Sequence, residues 1–245
     1  MTHQASPFVE TGIDPLLAEL PSNVSIHHTV SDHPIRITLQ EFIRTVFQQA
    51  YEAEVSSFYP NLVGFNVGNQ LRAVVGYRDG STSNLFSEQY LDSPANELAS
   101  AKLGMQIERG QMVEVGNLAI VDPGYARWVI AASTAFLAAA GYRWVLFTAT
   151  RPLANAFRRL GLKPLLLGPA DPGRLPDSGT SWGGYYSANP AVYVGDIHAG
   201  LGKLHSARTS SGSNLNHLLQ SAHALGIRFT RASDSHISNL RAAGS

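Results

Sequence analysis

The chain has 245 residues, a formal net charge of zero and no cysteine. That length allows one core of ordinary size with extensions, or two small domains. Without cysteine there are no disulfides, no thiolate zinc sites and no thiol nucleophile, which fits a reducing compartment, and a balanced charge supplies no global field toward nucleic acid or anionic lipid.

The first residues, Met1-Thr-His-Gln-Ala-Ser-Pro-Phe-Val-Glu10, hold neither a basic nor an apolar segment, so no secretory signal is expected. Residues 1–32 carry Pro7, Pro15 and Pro21 and read as a leader, draped over the domain or mobile. From Ile37 to Val55, Leu39, Phe42, Ile43, Val46, Phe47 and Ala50 recur at helical spacing. Thr38 and Glu41 have capping-box spacing at its start. Leu62–Val67 and Leu71–Tyr77 read as strands joined by a Gly68-Asn69 hairpin turn. Phe86-Ser-Glu-Gln-Tyr-Leu91 alternates, which puts Glu88 and Tyr90 on one face of a strand. Ser93–Leu103 is a predicted short helix with Pro94 in its first turn.

Met112–Val121 alternates and is β-rich, with Glu114 on the face opposite Val113 and Val115. Asp122-Pro-Gly124 ends that strand. Tyr125–Ala140 reads as an Ala-rich helix closed by Gly141, Trp144–Ala149 as a strand, Leu153–Leu160 as a helix closed by Gly161, and Leu165–Leu167 as a further strand. This order predicts an α/β fold, with right-handed crossovers where strands run parallel. The loop Gly168–Gly179, the aromatic run Trp182-Gly-Gly-Tyr-Tyr186 and a strand at Ala191–Val194 follow. The longest apolar stretch, Trp128–Tyr142, is broken by Ser133 and Thr134 and bounded by Arg127 and Arg143. A membrane span needs roughly 20 apolar residues, so this stretch reads as a buried helix. Beyond Asp196 the composition shifts to Gly, Ser and His. From Leu201 onward Lys203, Arg208, Arg228, Arg231 and Arg241 stand against Asp234 alone. Leu215, Leu218, Leu219, Ala222 and Leu225 form an amphipathic pattern in an otherwise weakly ordered tail. The expected organisation is a leader at 1–32, one domain at 33–198 and a basic tail at 199–245.

Two places could carry chemistry. Glu114, inside a strand, faces either water or a cleft. In a cleft, burial would raise its pKa and suit it as a general base for an amine. Glu88 and Tyr90 could complete a polar wall beside it. At Asp122–Arg127 a strand ends and a helix opens, so the N–H groups of Gly124, Tyr125 and Ala126 and the charge of Arg127 could hold a pyrophosphate; an ordinary βα turn has the same look. No His-x-x-x-His spacing and no Gly-x-Ser-x-Gly elbow occurs, so metal and serine-hydrolase chemistry are not expected.

The blocks Val113-Glu-Val-Gly-Asn-Leu-Ala119, Gly141-Tyr-Arg-Trp144, Thr148-Ala-Thr150 and Asn155-Ala-Phe-Arg-Arg-Leu-Gly161 resemble the thermostable hemolysin family. So do Phe42-Ile43, Tyr51-Glu-Ala53, Phe58-Tyr-Pro-Asn-Leu62, Glu88-Gln-Tyr-Leu91, Trp182-Gly183 and Tyr185-Tyr186, and together the match spans roughly Pro34 to His198. That family is similar to the GNAT acyltransferases and, more closely, to the acyl-homoserine-lactone autoinducer synthases. The synthases' Glu-x-Ser-Arg block falls at Glu114-Val-Gly-Asn117: the Glu matches, the Ser and Arg do not. Their Thr…Arg-Arg-x-Gly helix resembles Thr150 to Gly161. The GNAT phosphate loop is thinned here to Pro123-Gly-Tyr-Ala-Arg127, and the position of the usual proton-donating Tyr falls at Phe157.

The resemblance implies a GNAT-like mixed central sheet flanked by helices, in a cytoplasmic acyltransferase. The donor would be acyl-CoA or the acyl-phosphopantetheine of an acyl carrier protein, and the acceptor the amine of a small polar, amino-acid-like molecule. Glu114 would be the base. Backbone of Leu118, Ala119 and Ile120 would align the pantetheine arm, Gly124 to Arg127 would hold its phosphates, and Glu88, Tyr90, Asn117, Thr148 and Thr150 would line the acceptor cleft. Three alternatives stand beside it: an autoinducer-type synthase using S-adenosylmethionine, a hemolysin acting on membranes directly or through a surfactant-like product, and a GNAT-like fold that only binds. No metal and no nucleic-acid partner is expected.

Overall fold

In the computed structural model, residues 23–82, 84–207 and 213–242 are described. The alternating segments assemble into one seven-stranded sheet: β1 (Val24–Thr29), β2 (Asn61–Val67), β3 (Gln70–Asp79), β4 (Met112–Ile120), β5 (Trp144–Ala149), β6 (Leu165–Pro169) and β7 (Ala191–Asp196). Their order across the sheet is β1-β2-β3-β4-β5-β7-β6. All neighbours run antiparallel except β4 and β5, which are parallel. The β2–β3 hairpin turns at Gly68, whose φ of 58° suits a residue without Cβ.

Period-two patterning sends Val63, Phe65, Val75, Tyr77 and Val113 to one face of the sheet. There they meet α3 (Ala126–Ala139), α5 (Ile197–Ala207) and α6 (Ser213–Ala242), with α4 (Arg151–Arg159) alongside. The opposite face carries two smaller clusters. Leu39, Ile43 and Phe47 of α1 (Arg36–Tyr51) pack on Leu62, Val74 and Ala119. Ala95 and Ala99 of α2 (Ala95–Leu103) pack with Met112, Trp144, Leu146 and Val192. No helix among the described residues is long and apolar enough to cross a membrane.

Four sequence expectations are corrected. The Thr38–Glu41 capping box does not form: α1 starts earlier, with Ile35 at its N-cap, and Arg36 anchors that end by donating to the carbonyls of Pro60 (2.8 Å) and Tyr59 (2.7 Å). Phe86–Tyr90 is a 3-10 helix rather than a strand, so Glu88 and Tyr90 do not share a strand face. Within the expected leader, Val24–Thr29 pairs with Leu62–Val67 of β2 as an edge strand; residues 1–22 lie outside the described residues. The tail is not weakly ordered where described. Leu204 of α5 and Leu215, Leu218, Leu219 and Ala222 of α6 are buried in the largest core, because their apolar face finds α3. Gly226 allows that approach, since a Cβ there would run into the Phe136 carbonyl of α3.

Candidate active site

The parallel pairing of β4 with β5 stops early. Met112 to Val115 pair with Trp144 to Phe147, and no pairing follows. Yet β4 continues along β3 to Ile120, and β5 continues along β7 to Ala149. The two strands therefore part in mid-sheet. The gap is opened by an irregularity in β4, where the register slips against β3 and Asn117 takes a left-handed φ of 46°. A cavity of about 820 Å³ fills the gap and is lined from both faces of the sheet. On one side stand Phe47, Tyr51, Tyr59, Tyr90, Trp182 and Tyr185; on the other, Arg127, Ile130, Ser133, Arg159, Lys163 and Lys203.

Glu114 lies at the closed end of the gap, and its exposure is 0%. One carboxylate oxygen accepts the N–H of Phe86 at 2.7 Å, the other that of Ser87 at 2.6 Å. Burial raises its pKa, against the opposing pull of the Ser87 and Phe86 hydrogen bonds and of Arg78. The carboxylate thus caps the 3-10 turn from a strand 27 residues away in the chain. Ser87 in turn shares a 3.0 Å hydrogen bond between its Oγ and Thr148 Oγ1, at the cavity wall.

The other sequence-selected residues divide. Tyr90, Asn117, Leu118, Ile120, Ala126, Arg127, Thr148 and Thr150 all line the cavity. The Tyr90 hydroxyl meets that of Tyr186 at 2.6 Å. Asn117 spends its Oδ1 on the N–H of Tyr59 at 2.8 Å, so it fixes a loop as well as facing the cavity. Glu88 does not reach the cavity. Arg109 clasps it at 2.6 and 2.8 Å, and the N–H groups of Ala95 and Leu85 donate to it. Burial would raise the Glu88 pKa, but these donors outweigh it and hold the carboxyl below its ordinary value. Ala119 points to the α1 side and is packed there.

The expected phosphate turn is corrected as well. Asp122 Oδ1 accepts the Gly124 N–H at 2.8 Å, Asp122 O accepts that of Tyr125 at 2.9 Å, and Pro123 O accepts that of Ala126. The donors meant for a pyrophosphate are therefore satisfied within the turn, which also presents a carboxylate; Gly124 and Tyr125 are not among the cavity-lining residues. Positive charge at this mouth comes from side chains. Arg127, though only 7% exposed, feels Arg159, and burial followed by that neighbour lowers its pKa.

Sequence reasoning missed Tyr59, Ser87 and the aromatic group Tyr51, Trp182 and Tyr185. The signal for Tyr59 was present: Gly76 and Gly116 both interrupt strands, and a strand-interior glycine marks a close approach.

Residues 29–201 match the family described as Thermostable hemolysin, and the chain belongs to that family. No curated protein matches the sequence. Among solved structures, the chain is similar to a CoA-dependent acyl-homoserine lactone synthase solved with S-adenosylmethionine and isopentyl-CoA. The identity is 16%, the TM-score 0.50, and the match covers 80% of this chain and 98% of that one. It is also similar to an N-acyl amino acid synthase from uncultured soil microbes, at 12% identity and a TM-score of 0.48, over 72% of this chain and 93% of that one. The fold is thus that of the autoinducer synthases, a GNAT-like mixed sheet flanked by helices.

Proposed function

We propose that this member of the thermostable hemolysin family is an acyltransferase. It moves an acyl group from the thioester of CoA, or of an acyl carrier protein, to the amine of a small polar acceptor. The observation that carries the reading is the cavity running through the sheet where β4 and β5 part. Beyond Val115 the edge of β4 that faces the gap has no strand partner, so its backbone around Leu118 to Ile120 can pair with the amides of an extended pantetheine arm. A backbone N–H there can polarise the thioester carbonyl. The cavity is far larger than a two-carbon acyl group requires and lies within the range of drug-sized ligands, roughly 300–1,000 Å³. Its apolar middle, with Ile130, Leu137, Val145 and Ile197, suits a longer chain. Arg127, Arg159 and Lys163 at one mouth meet the donor's phosphates in place of the closed Asp122 turn. The hydroxyls of Ser87, Thr148 and Thr150 face the acceptor, with Glu114 behind them as the base. A donor of this class places the reaction in the cytoplasm.

A second reading has its own support. Phe47, Tyr51, Trp182 and Tyr185 form a connected ring cluster on the cavity wall, with centroids 5.2–6.1 Å apart. Such a cluster can stabilise a cation against π faces, which a sulfonium such as S-adenosylmethionine would supply.

Calorimetric titration with CoA and decanoyl-CoA tests the donor site, and thiol release from decanoyl-CoA with each of the twenty amino acids or with S-adenosylmethionine tests the transfer. Decanoyl-CoA is expected to bind more tightly than CoA, and Arg159→Ala to weaken both, less so as salt screens the charge. If neither binds and no acceptor releases thiol, the reading is wrong.

A further inference from the structure

β3 and β4 each carry a glycine at the same register, Gly76 opposite Gly116. Neither is a turn residue. Each makes room for the same side chain: a Cβ on Gly76 would stand 2.9 Å from Cδ2 of Tyr59, and one on Gly116 would overlap Cε2 of that ring and lie 2.7 Å from its hydroxyl. Two neighbouring strands thus form a trough for one tyrosine. Three further contacts fix it. The Tyr59 N–H donates to Asn117 Oδ1 at 2.8 Å, its carbonyl accepts from Arg36 at 2.7 Å, and the Arg78 guanidinium lies 4.8 Å from the ring centroid. The trough lays the hydroxyl end over Gly116, two residues along the same strand face from Glu114, near enough that this carboxylate, after burial, raises the hydroxyl's pKa.

Tyr59 lines the cavity, whereas Glu114 has no exposed surface and each of its oxygens already takes one backbone N–H. A carboxylate oxygen has a second lone pair, so Glu114 can still accept from a tyrosine. It cannot, however, meet an acceptor amine itself.

We propose that Tyr59 is the catalytic residue that touches the acceptor amine, and that Glu114 acts through it. The inference rests on the acyl-transfer reading above. The lone pair of the neutral amine attacks the thioester carbonyl carbon and the C–N bond forms. The amine proton passes to the Tyr59 oxygen as the Tyr59 proton passes to Glu114. The C–S bond then breaks, sulfur leaves with the electron pair, and the proton returns from Glu114 through Tyr59 to the thiolate. Amide and free thiol are the products, the pair is restored, and no further reactant is needed. Burial, then Glu114, keeps the Tyr59 pKa well above its usual value, so the hydroxyl holds its proton until one arrives. Besides each other, the pair faces Arg78, Arg109 and Tyr90.

Tyr59→Phe tests this, since it keeps the ring in its trough and removes only the hydroxyl. The first measurement needs no substrate. In protein carrying 13C-carboxyl glutamate, with the Glu114 signal assigned by its absence in Glu114→Gln, the Glu114 titration should move to higher pH in Tyr59→Phe, because an ionised carboxylate loses a donor. An unmoved titration overturns the contact and the relay with it. The second is thiol release from decanoyl-CoA with the best amino-acid acceptor: kcat should fall by about 10²–10⁴-fold with KM little changed. Wild-type kcat in Tyr59→Phe overturns the relay while the acyl-transfer reading stands. If the wild type releases no thiol with any acceptor, the acyl-transfer reading falls and the relay falls with it, whatever the titration shows.

Discussion

The two faces of the sheet are built differently. On the face covered by α3, α5 and α6, a single apolar cluster runs without a break from Val63 on β2 to Ala222 on α6. On the other face the apolar packing is split in two, one cluster around Leu39, Ile43 and Val74, the other around Leu85, Met112 and Leu146. Glu114, Gly116 and the ring of Tyr59 occupy the interval between them. The continuous face supplies most of the cohesion, and this allows the other face to contain a buried carboxylate, two strand glycines and an open cavity. Burial of an ionisable group is costly unless it is hydrogen-bonded, and Glu114 meets that condition by capping the 3-10 turn.

The strongest way to break the contrast is to remove part of the continuous face. Deleting residues 201–245 exposes the core surfaces of α3 that α5 and α6 cover, and the truncated chain is expected to lose cooperative unfolding in calorimetry. A sharp two-state transition in the truncated chain would show that the α3 face stands without them.

A gentler disturbance of the same face is acid. The His28 ring lies between Tyr77, whose hydroxyl is 2.9 Å from Nε2, and Phe229 of α6, with centroids 3.5 Å apart. Burial, helped by His33 and Arg36 and opposed by a hydrogen bond with Asn61, lowers its pKa to about 4. The unfolded chain, with an ordinary histidine pKa of about 6.5, takes up the proton first. Stability from this group is therefore complete above about pH 6.5 and is lost as the pH falls toward 4, a loss on the order of 3 kcal/mol. Urea midpoints across that range should slope in the wild type and flatten in His28→Gln; equal slopes would remove His28 as the cause.

On the split face, Glu114→Gln keeps the volume but turns one acceptor atom into a donor. Either Phe86 or Ser87 then loses its partner, at a cost of about 1–3 kcal/mol. The substitution thus strikes the 3-10 turn as well as the chemistry: a lowered urea midpoint should accompany lost turnover. An unchanged midpoint would mean that the turn does not depend on its cap.

The smallest effect is expected at the mouth of the gap, outside both cores. Asp122→Ala releases the Gly124 N–H and removes a negative charge, costing about 1 kcal/mol of stability, the usual worth of such a cap. CoA titrated calorimetrically should bind slightly more tightly to the variant, because a donor and a less negative field are then offered to phosphate. Weaker binding would show that Asp122 orders the mouth instead of closing it.

Much of this molecule is readable along the chain. The β2–β3 hairpin, β4, α3, β5 and β7 fall close to their sequence-predicted limits, because period-two and helical apolar patterns are local and their boundaries carry glycine or proline. The family blocks pointed to Glu114 and to part of the cavity wall, including Tyr90, Asn117, Leu118, Thr148 and Thr150. The misreadings have one cause in common. Alternation in Phe86–Tyr90 suggested a strand, but the segment's N–H groups are claimed by a carboxylate far away in sequence. Val24–Thr29 and α6 looked peripheral, because their apolar residues have no partner until the sheet and α3 exist. The Pro123-Gly124 turn had the outline of an anion site, and only the Asp122 hydrogen bond shows that its donors are spent.

By itself the sequence determined the α/β class, most strands and helices, the family and a glutamate inside a strand, since these depend on local periodicity and short blocks. Tertiary structure alone decided that β4 and β5 part after Val115, that two strand glycines seat Tyr59, and that Glu114 is sealed behind it. Those features depend on which residues meet across the sheet, and no local pattern encodes a register between strands separated by a helix.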